Sequence, residues 1–379
     1  MKKLLWVLMA AALVAGCGGK GRDHNQTTLA SALVVAASDY AGANVIYGQS
    51  LDQDGMPTGT LRARVLSDDP KLDPRFPSLA NLGDGELVLL RREWGSAVKN
   101  GTLAWLNPAE RYAVAQTMSA AGNSGSANPQ DYLRLEPLKA YVSRFDPAYD
   151  DVLIIDPVSF ARRGHIDLSG IADNPDGLAR PTQMVLFNGL VYLLLQDIDA
   201  GFGSYGNGKV AVIDPVTNEL VKVIDLTRKN PQMLVPADER GTILVVCAGD
   251  WADPATSGVE EVAPDGTVTL VVSGDAPALA GYLGDLALFS GGRLLVLNSK
   301  ADWSGNYIQP VDLDTGTVGA SLYFSFYITD LGRDSFGRAL IADNITSQVV
   351  ALDPDTGATV FTLDLPVPPQ SALDWHEQN

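Results

Sequence analysis

A phrase of six residues recurs along this chain, and its recurrence limits the folds open to it more than any other feature. Val152-Leu153-Ile154-Ile155-Asp156-Pro157, Val210-Ala211-Val212-Ile213-Asp214-Pro215 and Val349-Val350-Ala351-Leu352-Asp353-Pro354 are copies of one another. Weaker copies stand at Leu103-Ala104-Trp105-Leu106-Asn107-Pro108, Glu261-Val262-Ala263-Pro264 and Pro310-Val311-Asp312-Leu313-Asp314. Most are followed by a polar turn and another alternating run, as in Thr217-Asn218-Glu219 and then Leu220 to Leu226. An apolar run, a turn built from Asp, Pro, Asn and Gly, and a second run read as strand, turn, strand.

A second marker opens each unit: Pro77-Ser78-Leu79, Pro129-Gln130-Asp131, Pro181-Thr182-Gln183, Pro231-Gln232-Met233, then looser forms at Gly281-Tyr282-Leu283 and Tyr327-Ile328-Thr329. The steps of about 42 to 52 residues correspond to one supersecondary unit each. The last copy, Pro369-Gln370-Ser371-Ala372-Leu373, has no strand after it, while the first unit begins abruptly at Ala32-Leu33-Val34-Val35-Ala36. A chain whose end supplies the strand its beginning lacks describes a ring, and radial closure protects edge strands. The fold expected is all-β: a seven-bladed β-propeller of four-stranded antiparallel blades, closed by pairing of the C-terminal segment with the N-terminal blade. The Ala109 to Ala121 stretch, which could pass for a helix, falls where the repeat requires an outer strand and a loop. The run Val210 to Leu226 resembles the YVTN-type, YncE-like propeller repeats of bacterial secreted proteins, a resemblance that implies fold and no single activity.

The N-terminus carries a different signal. Met1-Lys2-Lys3 is followed by an apolar run from Leu4 to Leu13 that is too short to span a bilayer. Next comes Leu13-Val14-Ala15-Gly16-Cys17, which resembles the lipobox of bacterial lipoproteins. The resemblance implies a signal peptide over residues 1–16, acylation of Cys17 as an outer-membrane lipid anchor, and a flexible tether over 17–28, leaving one propeller domain over 29–379. Gly18, where an inner-membrane retention signal would place Asp, implies the outer membrane; which side the domain faces stays open. Loss of Lys2 and Lys3 takes the formal charge from −18 to −20, because residues 1–16 contain no acid. So acidic a chain, with no basic run, has no patch for a phosphate backbone, which excludes nucleic acid. Only Cys247 remains after Cys17, in the apolar run Ile243 to Cys247, so it reads as a buried thiol with no disulfide partner.

In a propeller the loops after each second strand share one face with the connections between blades. These loops carry acids beside aromatics: Asp39-Tyr40, Glu93-Trp94, Asp146 with Tyr149, Asp197 and Asp199 with Phe202 and Tyr205, Asp250-Trp251, Asp302-Trp303, and Asp343 in the last blade. Trp and Tyr cover apolar area while keeping a polar handle, as binding surfaces favour. The candidate ligand-binding residues are these; the bland reading is a structural device repeated with the repeat, the ring packing between blades and the acid capping a loop amide.

Other motifs fail on context. Gly201 to Gly206 fits GxGxxG, but a strand at Lys209 to Ile213 follows where a dinucleotide site needs a helix. Asp52-Gln53-Asp54-Gly55 lacks the bidentate Glu of a calcium loop and reads as a turn. His24, His165 and His376 are too few and too peripheral for a His-based metal site or a nucleophile triad. No catalytic residue is assigned and no cofactor is expected, although calcium among loop carboxylates stays open. The favoured function is a monomeric outer-membrane binding protein that captures a ligand or an envelope partner. By architecture it is similar to surface lipoproteins that trap a corrinoid for a TonB-dependent receptor. Two alternatives stand beside it. One is an assembly scaffold resembling the propeller lipoprotein of the barrel-insertion machinery, whose family has eight blades. The other is a calcium-dependent lactonase-like or quinone-dependent enzyme, which would need acids with Asn or Arg converging on the central channel.

Overall fold

The computed structural model describes residues 31–40, 43–66, 76–81, 86–92, 101–122 and 126–376. Seven sheets of four antiparallel strands follow one another along the chain. The innermost strands are Pro369–His376 for blade one, then Phe76–Asn81, Pro129–Glu136, Pro181–Phe187, Pro231–Ala237, Gly281–Phe289 and Ile328–Arg333 for blades two to seven. Each packs beside its counterparts in the two neighbouring blades, so the seven close a ring around a central channel. Every opening marker read from the sequence lies at the start of one of these strands. The three full copies of the six-residue phrase are third strands, in Asp151–Asp156, Lys209–Asp214 and Gln348–Leu352.

Closure occurs as expected. Ser31–Ser38 pairs with Asn44–Leu51 on one side and with Pro369–His376 on the other, in a register that sets Ala32 opposite Trp375 and Val35 opposite Ala372. Ser31 and His376 therefore lie at one end of blade one, and Asp39 and Tyr40 at the other.

The burial pattern explains the sequence pattern. Second and third strands such as Asp151–Asp156 and Thr242–Cys247 are covered on both faces by adjacent blades and read as continuous apolar runs. Outer strands such as Ala161–Asp167 and Thr359–Asp364 are largely exposed and read as polar. Apolar residues form seven clusters, each between two neighbouring blades. A fully buried Leu or Val in them contributes roughly 1.5–3 kcal/mol of transfer free energy. Cys247 belongs to one such cluster, as expected, and burial pushes its thiol well up.

The Asp of the repeated phrase is a turn residue. The carboxylates of Asp156, Asp214, Asp312 and Asp353 each accept the N–H two residues on, at 3.0, 2.7, 3.1 and 3.0 Å, which closes the hairpin between third and fourth strands. Ala109 to Ala121 contains the outer strand Ala113–Ser119 after a short 3-10 turn, as the repeat required. Asp52 folds its own loop by accepting the N–H groups of Asp54 and Met56, as a turn should.

Candidate functional site

The loops after the second strands gather on the channel face that also carries the blade-to-blade connections. In the described loops the acids accept backbone N–H groups, those of their own loop in every case but Asp197, which takes those of the preceding connection. Asp302 accepts the Ser304 N–H at 3.0 Å and Asp146 the Ala148 N–H at 2.9 Å. Asp250 accepts those of Ala252 and Asp253 and pairs with Lys229 at 3.0 Å. Asp39 accepts from Ala43 and Asp199 from Gly203, both at 2.8 Å. Asp343 takes the amides of Ile345 and Thr346 together with the hydroxyls of Tyr323 and Ser325. Asp197 is fully buried and accepts both backbone and side-chain N–H groups of Asn174 as well as the Asp173 N–H. Its carboxyl carbon would lie 2.5 Å from any Cβ at Gly206, which gives the last glycine of the GxGxxG fragment a packing role.

The aromatic partners behave differently. Tyr40, Phe202, Trp251 and Trp303 sit at φ of 59°, 58°, 63° and 59°, in the left-handed region. A bulky residue pays of order 1–3 kcal/mol there, where Gly or Asn would sit with less strain. The acid draws the loop tight and the ring is turned outward, leaving Tyr40 and Trp251 about two-fifths exposed and Trp303 at 64%. Tyr149 is the exception: its hydroxyl donates to the Ala121 carbonyl at 2.6 Å and the Arg144 guanidinium lies 3.8 Å over its ring, so it serves the interior. Phe202 stacks on Phe145 at 6.2 Å with the buried Arg180 guanidinium against both. Glu93, Trp94 and Cys17 lie outside the described residues.

Two of these rings meet a third that the sequence reading did not single out as a site residue. Tyr282, second residue of the inner strand of blade six, places its ring 5.3 Å from that of Trp251 and 5.9 Å from that of Trp303, nearly parallel to the latter at 20°. Trp251 and Trp303 are themselves 5.9 Å apart. The Tyr205 hydroxyl from blade four is within hydrogen-bonding reach of the Trp251 side chain. Burial, then the charges of Asp250 and Asp253, push the Tyr282 hydroxyl pKa up, so it stays a neutral phenol. The same face exposes Phe324, Phe326 and Tyr327 between blades six and seven. Apart from Phe336, every exposed aromatic among the described residues belongs to this face.

Deeper in the channel is a ring of acceptors. Asp131 takes the N–H of Met184 in the next blade at 2.7 Å, and Gln183 that of Leu234 at 2.7 Å. Asp285 takes that of Leu331 and Asp330 that of Ala372, both at 2.9 Å. Asp131, Asp285 and Asp330 lie just after the bulge of their inner strands and Gln183 within its own, and each bridges to the following blade. Burial raises the Asp131 carboxyl to about 7, against the pull of the Met184 and Tyr132 amides and of Arg92. Burial likewise raises Asp330 to about 6 and Asp285 well above the usual range, the two facing each other across adjacent blades. Two of these residues, Asp131 and Gln183, stand at the third position of opening markers, while Asp330 and Asp285 follow theirs by one and two residues. Among the described residues no group of three His, Cys, Asp or Glu side chains is arranged to hold a metal ion. His165 is exposed on the outer strand of blade three.

No family model matches the sequence, and no curated protein matches it. Solved structures share the fold. The periplasmic gluconolactonase of Pseudomonas aeruginosa superposes with a TM-score of 0.64 over 91% of this chain and 99% of its own, at 16% identity. A chain of Kuenenia stuttgartiensis hydrazine synthase gives 0.59 at 14% identity, over 84% of this chain and 93% of that one. The virginiamycin B lyase of Staphylococcus aureus gives 0.54 at 9% identity, over 77% and 85%. The chain is a seven-bladed propeller similar in fold to periplasmic lactonases and to lyases; at these identities the likeness carries the fold and not an activity.

Proposed function

We propose that this is a lipid-anchored outer-membrane binding protein whose aromatic channel face captures a ligand or an envelope partner, serving as an accessory to a TonB-dependent receptor. One observation carries the reading: Trp251 and Trp303 stand exposed on strained loop tips at the channel mouth and pack on the buried Tyr282 ring beneath them, forming one aromatic platform. Exposed indoles cost stability and are not needed to close a blade, since the corresponding loops of blades three and seven place Asp150 and Ser347 in the left-handed region with no exposed aromatic. The tether fits the same role. Residues 17–28 would join blade one at Ser31, the end opposite Tyr40, so a lipid at Cys17 would hold the aromatic face away from its own membrane.

The test is the double variant Trp251→Ala/Trp303→Ala. The expected result is an unchanged melting temperature together with loss of co-purification with an outer-membrane transporter from solubilised envelope. Retained co-purification would overturn the reading.

A lactonase-like hydrolase is the second reading, favoured by the fold it shares with the periplasmic gluconolactonase and by the Asp131 carboxyl poised near 7, where a general base works best. Its weakness is that Asp131 already accepts the Met184 and Tyr132 amides. Turnover of glucono-lactone that disappears in Asp131→Asn would establish it; no turnover with or without calcium would remove it.

A further inference from the structure

The binding role proposed above leaves the chemistry of the ligand open, and three features of the platform narrow it. The first is shape. With centroids 5.3 to 5.9 Å apart, the three rings pack on one another, so no cage opens between them for a compact ammonium group. What they offer is outer faces, above all that of Trp303, and a flat ring lying on an indole gains most from such a face.

The second is charge. The loops that build the platform carry Asp250, Asp253 and Asp302 against Lys229 and Lys300. Lys229 is paired with Asp250, and the Lys300 ammonium donates to the carbonyls of Leu279 and Ala278 while lying 5.2 Å over the Tyr307 ring. A phosphate or carboxylate arriving here would meet acids, with both nearby ammonium groups already engaged. Anionic sugars and anionic lipid headgroups are therefore poorly matched.

The third is the edge. In six of the seven inner strands the second residue is polar or Tyr, namely Gln130, Thr182, Gln232, Tyr282, Thr329 and Gln370, so amides and hydroxyls line much of the channel mouth, with Gln232 and Thr329 on the strands flanking Tyr282. Gln232 donates its amide N–H groups to Asn230. That leaves its oxygen as an acceptor, alongside the second carboxylate oxygen of the Asp302 cap. Acceptors arranged beside an apolar face suit a ligand whose ring face is C–H and whose periphery is hydroxyl donors.

From these we infer that the platform binds a neutral carbohydrate, a pyranose ring stacked on Trp303 and Trp251 with its hydroxyls donating to Asp302 and Gln232. The inference rests on the binding reading and specifies its ligand. Titration by isothermal calorimetry with maltotriose, cellotriose and N-acetylchitotriose, and with glucose 6-phosphate and tetramethylammonium as charged probes, decides it. The expected result is saturable binding of at least one neutral trisaccharide. Trp303→Ala should weaken it about tenfold at an unchanged melting temperature, and Trp303→Phe should restore part of it. Absence of binding by all three trisaccharides at millimolar concentration, or tighter binding of either charged probe, overturns the inference. A photo-crosslinker at position 304 in the intact envelope separates the two failures. Crosslinks to a protein with the saccharides silent leave the binding face standing and the carbohydrate refuted; no crosslink and no saccharide binding refute both.

Discussion

The acceptor ring of the channel makes a pH-dependent prediction that can be worked through. Asp285 and Asp330 face each other from adjacent inner strands, each already accepting a backbone N–H of the following blade. Burial, and for Asp285 the neighbouring charge of Asp330, favour the protonated form, so the folded values lie above the 3.8 of an unperturbed Asp. The pair's favourable contribution is then complete below about pH 4 and is lost as pH rises through and beyond about 6. For Asp330 alone, moving from 3.8 to about 6 corresponds to about 3 kcal/mol, reduced where channel water reaches the side chain. Asp285→Asn keeps an oxygen for the Leu331 amide and gives Asp330 an N–H donor while removing one charge. Gln183 shows within this same ring that an uncharged amide fulfils the bridging role, at 2.7 Å. Urea unfolding at pH 5 and pH 8 is the assay. The native chain should lose about 4 kcal/mol or more between the two, summed over Asp131, Asp330 and Asp285, and Asp285→Asn should recover only the Asp285 share at pH 8 while changing little at pH 5. A residual slope should persist from Asp131, whose carboxyl is raised to about 7. Native stability that is flat or rising from pH 5 to 8, or an Asp285→Asn variant weaker than the native chain at pH 8, would refute the reasoning.

Other outcomes follow from the same structure. Asp197→Ala should lower stability by about 3 kcal/mol in urea titration, because it orphans the Asp173 and Asn174 amides inside blade four, whereas Asp302→Ala on an exposed loop should cost under about 1 kcal/mol. Removing residues 369–379 should abolish cooperative thermal unfolding and cause aggregation, since Ser31–Ser38 would be left as a bare, apolar edge. Cys17→Ser should move the protein from the membrane to the soluble fraction of the envelope; an unchanged membrane fraction would count against lipid anchoring.

The fold was legible because repetition multiplies weak signals. One Val-Ile-Asp-Pro run is ambiguous, but several in phase with Pro-led markers fix strand order, blade number and even the role of Pro369 to Leu373 in closing the ring. The loop face was legible for the same reason, since Asp302-Trp303 and Asp250-Trp251 recur at one place in the unit. What sequence could not separate was the work of the two members of each pair, because capping by Asp302 and exposure of Trp303 depend on backbone angles. Tyr282 was missed as a site residue because it sits in a marker and not in a loop: it joins Trp251 and Trp303 only through the ring's geometry. Asp131 sits in an opening marker and Asp285 and Asp330 just after theirs, but nothing local to them tells a carboxyl that bridges to a neighbouring blade from the many surface acids of an acidic chain.

Closure of the ring also has a consequence in time. Ser31–Ser38 is the first of the described strands to be made and is buried along nearly all its length, yet its inner partner, Pro369–His376, is the last of them. Blades two to seven can assemble from neighbours in sequence, but blade one must wait with one side bare until the final residues exist. A chain so arranged keeps the inner side of Ser31–Ser38 open until Pro369–His376 has been made, however early the other blades form.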